Sequence, residues 1–282
     1  MTNDFQLIDG VLRLKEGTRY VRSQQFAGNE EIEELIVPQG VGFIEDEAFA
    51  ECENLRRVSL PDGLSSIGVA AFASCGSLES INLPAGLKSI GDGAFLFCIS
   101  LRELSFPEGL EEIQELAFQN TGLEAVRLPS SLRYIGEEAF FDCEQLQHAD
   151  VLGKDTRICK NAFGSNYNLL SGYIAPGFPE EQSSSAELLY SLLYCSCPDR
   201  HSSETAQRAE SFIRRNEALV MERVLKMNNI PAASGLVKRS LISAALADEC
   251  LKVALEAGQT EISALLLQLK SSVHSDEGEF EL

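Results

Sequence analysis

Tryptophan is absent, and the 282 residues include only three histidines and three methionines. Basic residues are also scarce: 23 Lys and Arg stand against 43 Asp and Glu, a net charge of −20. A chain this acidic is repelled by phosphate backbones and by anionic lipid surfaces. No Lys/Arg run exceeds the pairs Arg56-Arg57, Arg214-Arg215 and Lys238-Arg239, so nucleic acid is not an expected partner. No stretch reaches the roughly 18 apolar residues of a membrane-spanning helix, so membrane insertion is not expected either. The start, Met1-Thr-Asn-Asp-Phe-Gln-Leu-Ile-Asp, shows no basic and no apolar leader region. Eight cysteines without a leader predict reduced thiols and a cytoplasmic location. An extracellular or cell-surface location is the alternative if the N-terminus was trimmed.

Signatures of chemistry are equally sparse. GxGxxG, GxxxxGK[ST], GxSxG and HExxH are all missing. Cys195, Cys197 and His201 could form half of a zinc site, but no second Cys/His pair follows at a suitable spacing. Cys159 and His148 are a conceivable nucleophile and base, with no third residue to orient them. No catalytic residue, metal ligand or cofactor is therefore assigned, and the chain is read as non-enzymatic.

What the sequence has is a repeat. Phe26, Phe49, Phe72, Phe95, Phe118, Phe140 and Phe163 are spaced 23, 23, 23, 23, 22 and 23 residues apart. Val21, Ile44, Ile67, Ile90, Ile113, Ile135 and Ile158 precede them, and Cys52, Cys75, Cys98 and Cys143 follow at most turns. Pro38, Pro61, Pro84, Pro107 and Pro129 recur as well, with Gly40, Gly63, Gly86 and Gly109 two residues after the first four. In each unit a short alternating piece such as Val58-x-Leu60 predicts a strand. Pro61 ends that strand, Pro-x-Gly turns the chain, and Ala70-Ala71-Phe72 predicts one helical or 3₁₀ turn. A unit this short cannot bury its own apolar face, but stacked units bury each other's. The cysteines then form a buried ladder of small apolar groups. Leu96, Phe97 and Phe141 are extra apolar residues beside the Phe ladder, read as core. The single 22-residue interval, near Thr121-Gly122, should disturb the stack locally.

The pattern L-x-x-[VI]-x-L-P-x-G-[LV]-x-x-I-G-x-x-A-F-x-x-C resembles the BspA-type leucine-rich repeats, over seven turns with degenerate ends. The resemblance implies an α+β protein: a right-handed leucine-rich-repeat solenoid over residues 1–177, with a concave β-sheet, followed by an all-helical domain over 178–274. Residues 275–282 are acidic and read as a disordered tail. Periodicity predicts helices at about 186–195, 203–228, 233–244, 246–257 and 260–273, with Pro231 as a breaker, Gly258 as a terminator and Thr260 as a cap. The segment Ala254-LEAGQTEISALLLQLK resembles the paired helices of an ankyrin repeat, with a fainter copy at Phe212-IRRNEALVMERVLKMN. A plain helical bundle is the alternative.

The remaining candidate surface is the outward side of the repeat strands. Glu34, Arg57, Asn82, Glu103, Arg127, His148, Asp150 and Tyr173 are expected to line a partner-binding face, with Arg57 and Arg127 as anchors in an acidic surrounding. The expected function is a protein–protein interaction scaffold, monomeric or weakly oligomeric, with a protein partner. The family resemblance implies a bacterial surface or secreted adhesin as an alternative, which the missing leader disfavours. Carbohydrate binding is a further alternative, disfavoured because the aromatics are mostly committed to the Phe ladder.

Overall fold

The computed structural model describes residues 5–164, 166, 169, 171–174, 191–192, 194–195 and 203–276. The chain divides into two compact units, one built on the repeats and one on the C-terminal helices. The first is a β-solenoid of about six turns, since the seven recurring phenylalanines bound six intervals.

Most turns contribute two short strands, the turn at 101–113 only one. The first kind comprises β1 (Phe5–Ile8), β2 (Val11–Leu14), β4 (Glu34–Ile36), β6 (Arg57–Ser59), β8 (Ser80–Ile81), β11 (Ala125–Leu128), β13 (His148–Val151) and β15 (Ser171–Ile174). The second kind comprises β3 (Tyr20–Val21), β5 (Phe43–Ile44), β7 (Ser66–Ile67), β9 (Ser89–Ile90), β10 (Glu112–Ile113), β12 (Tyr134–Ile135) and β14 (Arg157–Ile158). The second set pairs in one unbroken parallel sheet, in the order β14-β12-β10-β9-β7-β5-β3. Its inward residues, from Val21 to Ile158, are buried. β1 was not expected. It pairs antiparallel with β2 through Asp9-Gly10, both at positive φ (50° and 77°), as a two-residue hairpin turn requires. The Phe5 ring meets Phe26 edge-on at 5.0 Å and so covers the first ring of the stack.

From Phe26 to Phe163 the rings stack nearly parallel, with centroids 5.1 to 5.5 Å apart. The segment that carries them is not the helical turn the sequence suggests. The residues two before and two after each ring from Phe26 to Phe140 adopt positive φ, as at Glu47 (53°) and Glu51 (60°) around Phe49. This turns alternate N–H groups along the stack: Glu47, Phe49 and Glu51 donate to Val69, Ala71 and Ala73 of the next turn. The segment is thus a third hydrogen-bonded ladder, and the stacking contact, rather than local propensity, sets its backbone. Phe97, in the same position as Glu51, has φ 61° and is 48% exposed, so it is not core; Leu96 and Phe141 are half-buried.

The C-terminal unit has five described helices: α1 (Ser203–Arg215), α2 (Glu217–Lys226), α3 (Ile230–Lys238), α4 (Ala244–Glu256) and α5 (Thr260–Asp276). They share a core that includes Phe212, Ile213, Val220, Met221, Leu236, Ile262 and Leu266. The expected helix 203–228 is split at Asn216, which leaves the helical conformation at φ −132°, ψ 32°; its N–H and its Nδ2 both donate to Phe212 O, at 3.0 and 2.9 Å. Pro231 stands in the first turn of α3, where proline is tolerated. Asn229 caps that helix, its Oδ1 accepting from Ala232 N–H at 3.0 Å. Thr260 is the first residue of α5 rather than a cap before it. Of the expected helix 186–195, residues 191–192 and 194–195 are helical and the others lie outside the described residues; of the expected tail 275–282, residues 275 and 276 end α5 and the others lie outside the described residues.

The helix pairs α2–α3 and α4–α5 turn in the same way. Asn228 and Gly258, at φ 48° and 71°, donate to Leu225 O and Leu255 O; Asn229 and Gln259 donate to Val224 O and Ala254 O. α2 packs on α4, and α3 on α5. The structural copy of the segment at Ala254 therefore starts at Val224, not at Phe212. The positive φ shared by Asn228 and Gly258 decides the alignment, because glycine and asparagine are the residues that accept it most readily.

Candidate partner-binding face

In-register pairing places the outward residues of successive strands side by side. Glu34 is opposite Arg57, and Arg57 opposite Ser80. Ala125 is opposite His148, and Arg127 opposite Asp150. Along β6 and β11 the expected alternation holds: Arg57, Ser59, Ala125 and Arg127 are exposed, while Val58 and Val126 are buried.

Most of the charges on this side are matched across one turn. Arg57 Nη2 lies 3.1 Å from Glu34 Oε2. Arg56 is 3.1 Å from Glu79, and Arg102 is 3.2 Å from Glu124. Exposed pairs of this kind contribute about 0–1 kcal/mol each, so they chiefly order the side chains. Arg127 is exposed and, like Arg13 on β2, has no ion pair among the described residues, which leaves its charge available.

Three of the expected face residues are placed differently. Asp150 is buried, and its carboxylate lies on the same side of β13 as His148, with Oδ1 3.2 Å from Nε2. Asn82 is exposed as expected, but its amide takes the part of a missing peptide: Nδ2 donates to Leu60 O at 3.1 Å, and Oδ1 accepts from Leu60 N–H at 2.9 Å. Glu103 is exposed but not on a strand, because residues 101–107 form none. Tyr173 belongs to β15; its side chain lies outside the described set.

The missing strand opens a cleft. In the turn before, Arg56 O accepts from the N–H groups of Glu79 and Ser80. Glu79 O, its equivalent, receives no such bond, and no backbone hydrogen bond joins residues 79–83 to 102–106. The result is a cleft of about 980 Å³ lined by Ile81, Asn82, Ile99, Glu103, Leu104 and Glu124 among others. It adjoins the one 22-residue interval of the repeat. There the corner is so tight that a side chain at Gly122 would sit 2.3 Å from Ile99 O. Phe106, where neighbouring turns have Leu60 or Leu83, sends its ring edge-on to Phe118 and Phe140. The short interval was visible in the sequence; which strand it would release was not.

The thiols belong to the scaffold. Cys52, Cys75, Cys98 and Cys143 are buried and donate to the carbonyls of Phe26, Phe49, Phe72 and Phe118 at 3.1 to 3.2 Å. Burial pushes the Cys52 thiol up to about 11 and raises the other three as well. Asn166 Nδ2 makes the equivalent bond to Phe140 O at 2.8 Å. Cys159 does not meet His148. Its thiol beside the Tyr134 hydroxyl pushes that phenol up to about 12, whereas His148 faces Asp150. Cys197 and His201 lie outside the described residues, and Cys195 is buried in the helical core. Among the described residues no three His, Cys, Asp or Glu side chains are grouped to hold a metal ion.

Stacked turns, parallel ladders and a buried phenylalanine column define a leucine-rich-repeat β-solenoid. The family described as the BspA type leucine rich repeat region matches in six copies, over residues 19–147 and 65–178, and the chain belongs to that family. Such repeat proteins generally serve as protein-interaction scaffolds and are typically non-enzymatic. No curated protein matches the chain. Among solved structures, a leucine-rich repeat protein from Bacteroides ovatus is 25% identical with a TM-score of 0.45; the match covers 58% of this chain and 55% of that one. The chain thus spans little more than half of that relative's length. A leucine rich repeat protein of T. pallidum is 27% identical with a TM-score of 0.48, over 62% of this chain and 79% of that one. The pneumococcal vaccine antigen PcpA is 18% identical with a TM-score of 0.44, over 62% and 64% of the two chains.

Proposed function

We propose that this chain is a non-enzymatic scaffold that binds a protein partner along the outward row of its strand face, with Arg127 as an anchor. The observation that supports this reading is the in-register row itself. Its backbone positions are fixed by the ladder, and Arg57 and Glu34 are held by a cross-turn ion pair, before any partner arrives, so little backbone ordering entropy is lost on binding. Seven described cysteines are free thiols, which suits work in a reducing compartment.

The test is quantitative capture from a lysate of the source cell, comparing wild type with Arg127→Glu of confirmed circular dichroism. The expected result is a protein retained by wild type and reduced at least about tenfold on the variant, a difference of about 1.4 kcal/mol. Equal retention on both, or no retained protein, overturns the assignment.

A further inference from the structure

We propose that the cleft beside β8 is the docking position of an extended, cationic peptide segment of the partner, which completes the interrupted sheet. The inference rests on the scaffold reading and names the chemistry of its partner.

Three features of the cleft support it. The first is unmet backbone hydrogen bonding. β8 pairs with β6 on one side only, and the carbonyl of Glu79 lacks the donors that Arg56 O receives one turn earlier. Such groups are directional, and an extended backbone is the ligand that satisfies a row of them; strand addition to an open sheet edge works in this way. Asn82 does not close the gap, because both of its amide bonds go back to Leu60, on the side of β6.

The second is size with apolar footing. At about 980 Å³ the cleft is at the upper end of the range for ligand sites, about 300–1,000 Å³. A strand advances about 3.3 Å per residue, so one of about four residues needs about 13 Å. Ile99 is 64% exposed, and Leu104 is only half-buried where its counterparts Val58 and Ile81 are buried. An occupant with apolar side chains on one side would cover both.

The third is charge. Glu79, Glu103 and Glu124 line the cleft against one cation, Arg102. Glu79 and Glu124 are held by Arg56 and Arg102, whereas Glu103 is exposed and has no ion pair among the described residues. Lysine or arginine in the occupant answers that carboxylate. The same lining repels this chain's own acidic end, Asp276-Glu-Gly-Glu-Phe-Glu-Leu, and so disfavours a second copy as the occupant.

The experiment uses the full chain and three fluorescent probe peptides: alternating Lys-Val, alternating Glu-Val, and Lys-Val interrupted by proline. Binding is read by anisotropy, and its location by amide hydrogen exchange. The expected result is that Lys-Val binds, that Glu103→Lys weakens it at least tenfold, and that it slows exchange at residues 79–83 and 102–106. The Glu-Val and proline peptides are expected not to bind. Equal affinity of Lys-Val for wild type and Glu103→Lys, or protection confined to other turns, overturns the proposal. If a captured partner depends on Arg127 while the peptides fail, this inference falls and the scaffold stands. If no partner is captured, the scaffold reading falls first.

Discussion

Each phenylalanine of the column touches the ring before it and the ring after it, so the cost of losing one is set by both neighbours. Phe72 is fully buried between Phe49 and Phe95, at 5.4 and 5.5 Å. Phe72→Ala removes two stacking contacts and leaves a cavity that the ladders keep from collapsing. We expect a loss of about 3–5 kcal/mol in urea unfolding. The ladder cysteines give a prediction in pH. Burial favours the neutral thiol of Cys52, so its pKa is raised on folding, from 9.0 to about 11. Its contribution is complete below the unfolded value and is lost as pH rises through the folded one. The melting temperature of the wild type should therefore fall between about pH 9 and pH 11. A Cys52→Ala variant should show a shallower fall; an identical slope would remove Cys52 as a cause. The column was legible from spacing alone. That its sulfurs donate to phenylalanine carbonyls was not, because the acceptors lie 25 or 26 residues away in sequence.

Among the elements, the phenylalanine segment departs most from what local sequence suggests. Ala-Ala-Phe favours a helical turn, yet positive φ recurs on either side of each ring from Phe26 to Phe140 so that alternate N–H groups face the next turn. Glu51 holds φ 60° at an exposed position. Glycine adopts that conformation freely, and a β-branched residue does so worst. Glu51→Val should therefore unfold more easily than Glu51→Gly by about 1–2 kcal/mol in the same titration. Helix ends were partly legible: Gly258 ends α4 as read, whereas Pro231, read as a breaker, stands in the first turn of α3 after the Asn229 cap. The break at Asn216 was not, because the helical pattern runs through it and spacing does not mark its non-helical φ of −132°. The released strand at 101–107 is a further case. Its sequence keeps the repeat pattern, Leu101 to Leu110, and only the shorter corner at Gly122 and the ring of Phe106 accompany the lost pairing.

For the molecule as a whole, the repeat unit meets only its neighbours through the three ladders. Excision of one period, residues 54–76, rejoins equivalent positions and should leave a folded chain with a lower melting temperature. Excision of half a period should abolish the cooperative transition, because it places strand positions against turn positions. Circular dichroism and thermal melts distinguish these outcomes. The sequence by itself determined the period, the buried column, the order of repeat and helical units and the alternation of outward residues. Each of these follows from apolar spacing and from the need of one short unit to bury its face on the next. The tertiary structure decided which outward residues are available. Asp150 turned to His148, Asn82 to Leu60 and Arg57 to Glu34, while Arg127 and Glu103 kept exposed charges without ion pairs among the described residues. The partners of these groups are about one period away or are chosen by a side chain's turn along its strand. Such choices depend on which atoms stacking brings within about 3 Å, and spacing along the chain does not specify them.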